Sequence, residues 1–398
     1  MNGGRLVVAH FSNARAWGGA EEHMARLLAH LPRERIQPLL AAPAALLASG
    51  AGRWPAEVEA LAVDLQSPLP GRAAVRLARW LRRRRVDVLH AHMFRASACA
   101  AWVAALAGVG RIIETPHVRE AWREPPAGEG RGWRHWKRSY LWDRLHSRLI
   151  DRYIAVSQAN AAYLIEQKGL PAAKVAVIPN GCDLNFWRPR PRRACWPEAW
   201  GWSQHDPLLV QIGRLEPQKG HGVLLDALPR LWERFPNLHV VLLGEGSLRR
   251  DLESRIAGME RRGVVRLAGY SPDPRDWLAA AWITVLPSWY EGLPLAALES
   301  LAMSRPVVGS DVDGMPEVVR HGTNGLLTPA GKAGALGEAI AELLSNRELR
   351  EGMGAAGRAW VEQHFSLEQQ VEATAEIYQA AAGAGHQRAA PCTWGARS

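Results

Sequence analysis

The sequence predicts an α/β protein made of two doubly wound domains. Three observations carry that expectation. The chain has 398 residues, too many for one ordinary hydrophobic core. Short apolar runs alternate with stretches of helical periodicity, as they do where parallel strands are joined by crossover helices. The alternation also starts afresh at Leu208–Ile212. It does so after residues 187–206, which are rich in Trp, Pro and Arg, lack periodicity and read as a linker.

In the first half, Arg5–His10 is an apolar strand, and Gly18-Gly19 turn the chain into a helix near Glu21. A strand–glycine loop–helix unit either lets a ligand approach the backbone or is a simple tight turn. Ile36–Ala42 and Val58–Val63 are the next expected strands. Residues 71–85 form a helix with Ala74, Leu77, Ala78 and Leu81 inward, ending in four arginines that suit its negative C-terminus. Val86–His90 is a strand delivering His90-Ala91-His92 to its carboxyl edge, where open α/β sheets bind ligands. His117, after the following strand, is a similar candidate. Ala96–Val109 is apolar but Ala-rich and too short for a membrane span, so a buried helix is expected. Residues 131–150 place Trp133, Trp136 and Tyr140 at helical spacing with Arg and Lys interleaved. That pattern fits a membrane surface, a nucleic acid or a helix packed on its own domain. Asp151–Val156 is a strand closed by Ser157, the N-cap of a helix over Gln158–Gln167. Lys174–Ile178 is the last strand of this half and runs into Pro179-Asn180-Gly181-Cys182-Asp183.

The second half opens with strand Leu208–Ile212, then Gly213-Arg214-Leu215-Glu216-Pro217-Gln218-Lys219-Gly220, then a helix with Val223, Leu224, Leu228 and Leu231 to bury. Arg214 and Lys219 would join the dipole of that helix at one anion. Leu238–Leu243 leads into Gly244-Glu245-Gly246-Ser247, two-thirds of a dinucleotide fingerprint and weak on its own. Val265–Gly269 is a strand and turn, and Asp273–Ala280 a helix. The strand Trp282–Leu286 then enters Pro287-Ser288-Trp289-Tyr290-Glu291-Gly292-Leu293-Pro294, with a helix over Leu295–Met303 and Pro294 in its first turn. Amides at that helix N-terminus suit a phosphate or sugar oxygen. The carboxylates Glu291 and Glu299 suit neutral hydroxyls. After strand Arg305–Gly309, Asp311 and Asp313 lie in a turn where Asp is at home, and no metal is expected there or at His90 and His92. A hairpin-like turn at His321–Leu327, helices from Ala333 to His364, and a last helix Leu367–Ala382 capped by Ser366 complete the chain. Gly383–Ser398 reads as a frayed tail.

Bulk properties narrow the class. The cysteines at 99, 182, 195 and 392 show no metal or disulfide spacing, which points to a reducing compartment. The apolar run at the N-terminus is too short for a signal peptide, so a cytoplasmic location is expected. Residues 1–200 hold 30 Lys and Arg against 16 Asp and Glu, while residues 201–398 hold 19 against 23. The whole basic excess thus sits in the first half. It favours an anionic partner there, such as phospholipid headgroups, a lipid pyrophosphate or nucleic acid, or else reflects an Arg-rich genome.

The run Pro287-Ser288-Trp289-Tyr290-Glu291-Gly292-Leu293-Pro294-Leu295 between strand and helix resembles the signature of the retaining glycosyltransferases of family 4. So do Gly213–Gly220, the Gly18-Gly19-Ala20-Glu21 loop, Asp151–Gln158 and the Pro179–Asp183 turn. The resemblance covers residues 5 to about 382. It implies the GT-B fold, two Rossmann-like doubly wound domains facing an inter-domain cleft with catalysis between them. The boundaries expected are 1–186, a linker at 187–206, a nucleotide-sugar domain at 207–366, and a helix at 367–382 crossing back to the first domain.

By the same resemblance, Arg214 and Lys219 hold the donor pyrophosphate, Glu291 lies against the transferred sugar and Glu299 holds the ribose hydroxyls. His92 faces the donor sugar. Gly18, Gly19, Gly213, Gly244, Gly246, Gly292 and Leu293 complete the donor contacts. Asp313 stands where the family commonly has glycine. No cofactor is implied beyond a nucleotide diphosphate sugar as co-substrate, and the acceptor is a saccharide or lipid-linked hydroxyl. Peripheral contact with the inner face of an anionic membrane is expected, nucleic acid is not, and a bacterial surface-polysaccharide or glycolipid pathway is the expected setting. Two rivals share these features: a sugar-nucleotide epimerase or hydrolase with the same donor pocket, and a non-catalytic basic module that uses residues 131–150 on a membrane or nucleic acid.

Overall fold

The computed structural model describes residues 5–65, 71–120, 143–191 and 200–383. The chain divides into two compact units, Met1–Asn180 with Glu368–Ser398, and Gly181–Leu367. Most of the aromatic and basic stretch expected as a helix, residues 131–142, lies outside the described residues, as do 192–199 and 384–398.

The first unit carries seven parallel strands: β1 (Leu6–Ser12), β2 (Ile36–Ala42), β3 (Glu59–Ala62), β4 (Val88–His92), β5 (Arg111–Thr115), β6 (Arg152–Ala155) and β7 (Val175–Val177). Their order is β3-β2-β1-β4-β5-β6-β7, so the winding reverses between β1 and β4. Helices α1 (Gly19–His30), α2 (Ala44–Ser49), α3 (Arg72–Arg83), α4 (Phe94–Ala107) and α5 (Gln158–Ala162) flank the sheet.

Alternation along β1 and β4 separates two faces. Val7, Ala9, Phe11, Leu89 and Ala91 share one core with Leu77 and Leu81 of α3 and Val103 of α4. His10, His90 and His92 occupy the alternate positions. His10 is paired in register with His90, and His92 with Thr115. Tyr378, on the C-terminal helix Leu367–Gly383, is fully buried against this histidine face.

Two details of this unit refine the expectations. The strand expected to stop at His90 runs on to His92, so both histidines lie inside β4. Arg82, expected to serve the end of its own helix, donates instead to the terminal carbonyls of Leu106 and Ala107 on α4.

The second unit has six parallel strands: β8 (Leu208–Ile212), β9 (His239–Leu243), β10 (Val265–Gly269), β11 (Ile283–Leu286), β12 (Val307–Ser310) and β13 (Gly325–Thr328). The order β10-β9-β8-β11-β12-β13 reverses between β8 and β11. Helices α6 (His221–Arg234), α7 (Arg249–Ala257), α8 (Arg275–Ala280), α9 (Leu295–Ala302), α10 (Met315–Val318), α11 (Ala333–Ser345) and α12 (Arg347–His364) make the crossovers and the layers beyond them. The four residues expected to bury from α6, Val223, Leu224, Leu228 and Leu231, all enter this core.

Two expectations change here. The stretch read as a hairpin-like turn supplies β13, a sixth parallel strand registered on β12. Its four residues are too few for periodicity to show. The stretch 187–206, read as a linker, belongs to the second unit where it is described. Trp187 and Trp202 are buried there, and Trp202 stacks on His239 at 4.2 Å. Aromatic burial without helical or strand spacing left no pattern to read. Among the described residues no helix is long and apolar enough to cross a membrane.

Candidate active site

In an open parallel sheet the carboxyl ends beside the winding reversal leave a crevice, because the crossover helices depart to opposite faces. In the second unit those ends belong to β8 and β11, and the loops after them hold Arg214, Lys219 and Glu291.

Backbone bonds lace these loops together. Past the end of β8, the Gly213 N–H donates to the Leu243 carbonyl at 3.0 Å and the Leu215 N–H to Glu245 at 3.0 Å. Gly244 has φ +144°, and a Cβ there would lie 1.9 Å from the Gly213 oxygen, so only glycine permits this approach. Glu216 accepts from the Ser247 N–H at 3.0 Å and from its hydroxyl at 2.7 Å. Burial pushes that carboxyl up, but these bonds and Arg214 hold it below its usual range. Gly220 ends a short turn at φ +64°, where a Cβ would come within 1.9 Å of the Pro287 oxygen. The Trp289 N–H donates to Gln218 at 2.8 Å, and the Gln218 amide to Tyr290 at 2.9 Å.

The lacing brings Lys219 Nζ within 2.6 Å of Glu291 Oε1, which also accepts from the Ser288 hydroxyl at 2.7 Å. Glu291 is buried, so its charge is compensated by both donors at once. Its own N–H donates to Asp313 Oδ2 at 3.0 Å. Asp313 sits at φ +43°, a region Asp tolerates better than most residues, and the carboxylate does work a glycine could not. Ser288 and Asp313 are thus parts of the site that sequence reading missed as such. The offset of three between Ser288 and Glu291 was the available signal for the first.

Arg214 is exposed. Gly292, Leu293 and Glu299 are buried, Glu299 in the second turn of α9. Pro294 is the N-cap of α9, not part of its first turn, and no side chain caps the helix amides. A surface cavity in this unit, lined by Arg234, His321, Thr328 and Glu338, contains none of these residues.

In the first unit the reversal lies between β1 and β4, and the groups there are neutral rings. His92 Nε2 lies 3.0 Å from His10 Nδ1, and His92 Nδ1 lies 3.1 Å from His117 Nε2. His92 is 1% exposed and both its nitrogens are engaged, whereas His117 is 9% exposed. The residue expected to face a sugar is therefore one layer inside His117. His23 bonds Asn180 at 2.8 Å and stands edge-on to His117, with centroids 4.6 Å apart. Burial pushes His10 down to about 3 and His23 to about 4. Burial likewise holds His90, His92 and His117 well below the usual imidazole range. All five are neutral near pH 7. Gly18 is the N-cap of α1 at φ −157°, an extended conformation, and no side chain caps the helix.

Comparison with known proteins places the chain. Residues 17–186 match the model of Glycosyltransferase Family 4, and residues 193–360 that of Glycosyl transferases group 1. A phosphatidyl-myo-inositol mannosyltransferase of Mycobacterium leprae is 32% identical over 71% of this chain and 70% of its own. A D-inositol 3-phosphate glycosyltransferase of Nocardia farcinica is 31% identical over 61% of this chain. That match spans little more than half of the relative, 57%. The structure of Anabaena HepE in complex with UDP and glucose superposes with a TM-score of 0.77 at 20% identity, over 94% of this chain and 99% of that one. The sheet order of each unit, the laced loops and these matches agree, and the chain belongs to glycosyltransferase family 4, with the two Rossmann-like units of the GT-B fold.

Proposed function

We propose that this protein moves a sugar from a nucleotide diphosphate donor to a hydroxyl acceptor with retention of anomeric configuration. One observation carries the reading: Lys219, Ser288, Glu291 and Asp313 are joined by hydrogen bonds at the β8–β11 reversal. As the glycosidic bond breaks, negative charge builds on the departing diphosphate. Lys219 and Arg214 then stabilise the transition state more than the bound donor, which is what lowers a barrier. Glu291 keeps Lys219 in place until the diphosphate competes for the ammonium, and its carboxylate then serves a sugar hydroxyl. Glu299 holds the ribose, and the chemistry needs no divalent cation because the two side-chain cations supply the charge.

A thermal-shift screen over nucleoside diphosphate sugars tests this, since a ligand of the native state raises its melting temperature. A match should stabilise wild type with EDTA present and fail to stabilise Glu299→Ala. No stabilisation by any donor would refute the reading. Product formed without an acceptor would favour the epimerase or hydrolase.

The acceptor is a saccharide or lipid-linked hydroxyl met at an anionic membrane. The name of the mannosyltransferase relative gives that protein a phosphatidylinositol acceptor. Here Trp102 and Leu106, one turn apart on α4, are 54% and 42% exposed, in the half of the chain that holds the basic excess. Such an apolar pair in a basic field suits lipid headgroups. Vesicles containing phosphatidylglycerol should sediment wild type and release the Trp102→Ser, Leu106→Ser double variant. Equal binding to neutral vesicles would refute the contact.

A further inference from the structure

The histidine face of the first unit carries more than a donor-facing ring. Its polar atoms form an unbranched series. Thr115 Oγ1 lies 2.7 Å from His90 Nε2, and His90 Nδ1 lies 2.6 Å from the Tyr378 hydroxyl. That hydroxyl is 3.4 Å from His10 Nε2. His10 Nδ1 then meets His92 Nε2, and His92 Nδ1 meets His117 Nε2. A neutral imidazole has one donor and one acceptor nitrogen, so a series of them runs in one direction or the other.

Thr115 chooses the direction. It is fully buried, and among the described residues its hydroxyl bonds only His90. If His90 donated to Thr115, the threonine O–H would be buried without an acceptor, leaving its desolvation uncompensated. If Thr115 donates, every later proton is fixed in turn. His90 gives Nδ1–H to Tyr378, which gives O–H to His10, and His10 and His92 each pass on an Nδ1–H.

We propose that Thr115, His90, Tyr378, His10, His92 and His117 form one polarised hydrogen-bond chain that fixes His117 as its Nδ1–H tautomer. The His117 end, the least enclosed of the series, then presents a donor to substrate oxygen and cannot act as a base through that nitrogen. His92 is a positioning residue in this chain. So is Tyr378, although it lies 261 positions beyond His117 in the sequence. The consequence for turnover rests on the transferase reading, but the tautomers do not. Two triads, His10/His90/His92 and His23/His92/His117, also bring ligand atoms within 4.8 Å of one another. A metal there would either take lone pairs that the chain engages as hydrogen-bond acceptors or need nitrogens that it uses as donors.

Nitrogen-15 NMR of histidine-labelled protein at pH 7.5 tests the chain without substrate. Wild type and Thr115→Ser should show His10, His90, His92 and His117 all as Nδ1–H. Thr115→Val and Tyr378→Phe should both populate Nε2–H forms at His92 and His117. In Tyr378→Phe, kcat should fall by roughly tenfold with KM little changed, as expected for one misplaced hydrogen bond. Opposite tautomers at His92 and His117 in wild type, or no change in Thr115→Val, would overturn the chain. Uptake of one equivalent of Zn2+ by wild type at micromolar concentration would do the same. Reset tautomers with unchanged kcat would overturn the role in turnover alone.

Discussion

The two units use the same sheet architecture and the same topological position for opposite electrostatic purposes. At the β8–β11 reversal the second unit sets permanent charges, Lys219, Glu291 and Asp313, on loops held by glycine contacts. At the β1–β4 reversal the first unit sets buried neutral imidazoles inside the strands themselves. On the function proposed above, one side bears the charge that develops. The other orients hydrogen bonds without adding charge. The difference teaches that a shared fold fixes where a site lies and not what it is made of.

Acid should separate the units most strongly. Six imidazoles of the first unit, the five above and His146, are held below their unfolded value near 6.5 by burial, His10 at about 3 and His23 at about 4. The unfolded chain therefore binds protons that the folded unit refuses. Stability is full above pH 6.5 and is lost as pH falls toward 4, by up to about 1.4 kcal/mol per pH unit for each group. Glu114, pushed up to about 7 by burial, keeps its proton when folded and offsets one imidazole. The second unit has fewer such groups, among them His221 at about 4, lowered by burial and by Lys219. Hydrogen exchange at pH 7.5 and 5 should show the first unit losing protection first. Equal loss in both units would break the contrast.

Glycine placement gives the next effect. Gly220→Ala, with its backbone strain and the clash on Pro287, should cost about 3 kcal/mol in a denaturant melt. Lys219→Ala and Arg214→Ala should each lower kcat by ~100-fold, the scale of losing one transition-state donor. Near-normal turnover in both would remove the charged half of the comparison. Asp313→Ala leaves the Glu291 N–H without its acceptor and should lower kcat by roughly tenfold, with Asp313→Asn recovering most of it. Gly18→Ala should be the mildest, below about 1 kcal/mol, because φ −157° is open to any residue.

The candidate site of the second unit was more legible in the sequence than that of the first, for a physical reason. Arg214, Lys219, Glu291 and Glu299 lie in short runs between an apolar strand and a periodic helix, so local pattern marks them. His10, His23, Thr115, His117 and Tyr378 come from separate elements, and only strand register and the return of the C-terminal helix bring them together. His90-Ala91-His92 was visible, but not that His92 is enclosed with both nitrogens engaged. Helix and strand positions were legible through burial. The strand β13 and the buried Trp187 and Trp202 were not, being too short or too irregular to show a period.

The first unit is interrupted, leaving off after Asn180 and resuming at Glu368. A ribosome must therefore finish all of Gly181–Leu367 before the first unit can close. Until then the nascent chain exposes a face of strand histidines with no hydroxyl from Tyr378 to complete it. The N-terminal unit is thus the later one to mature, and arrival of the helix Leu367–Gly383, not synthesis of its own strands, sets the moment at which it becomes native.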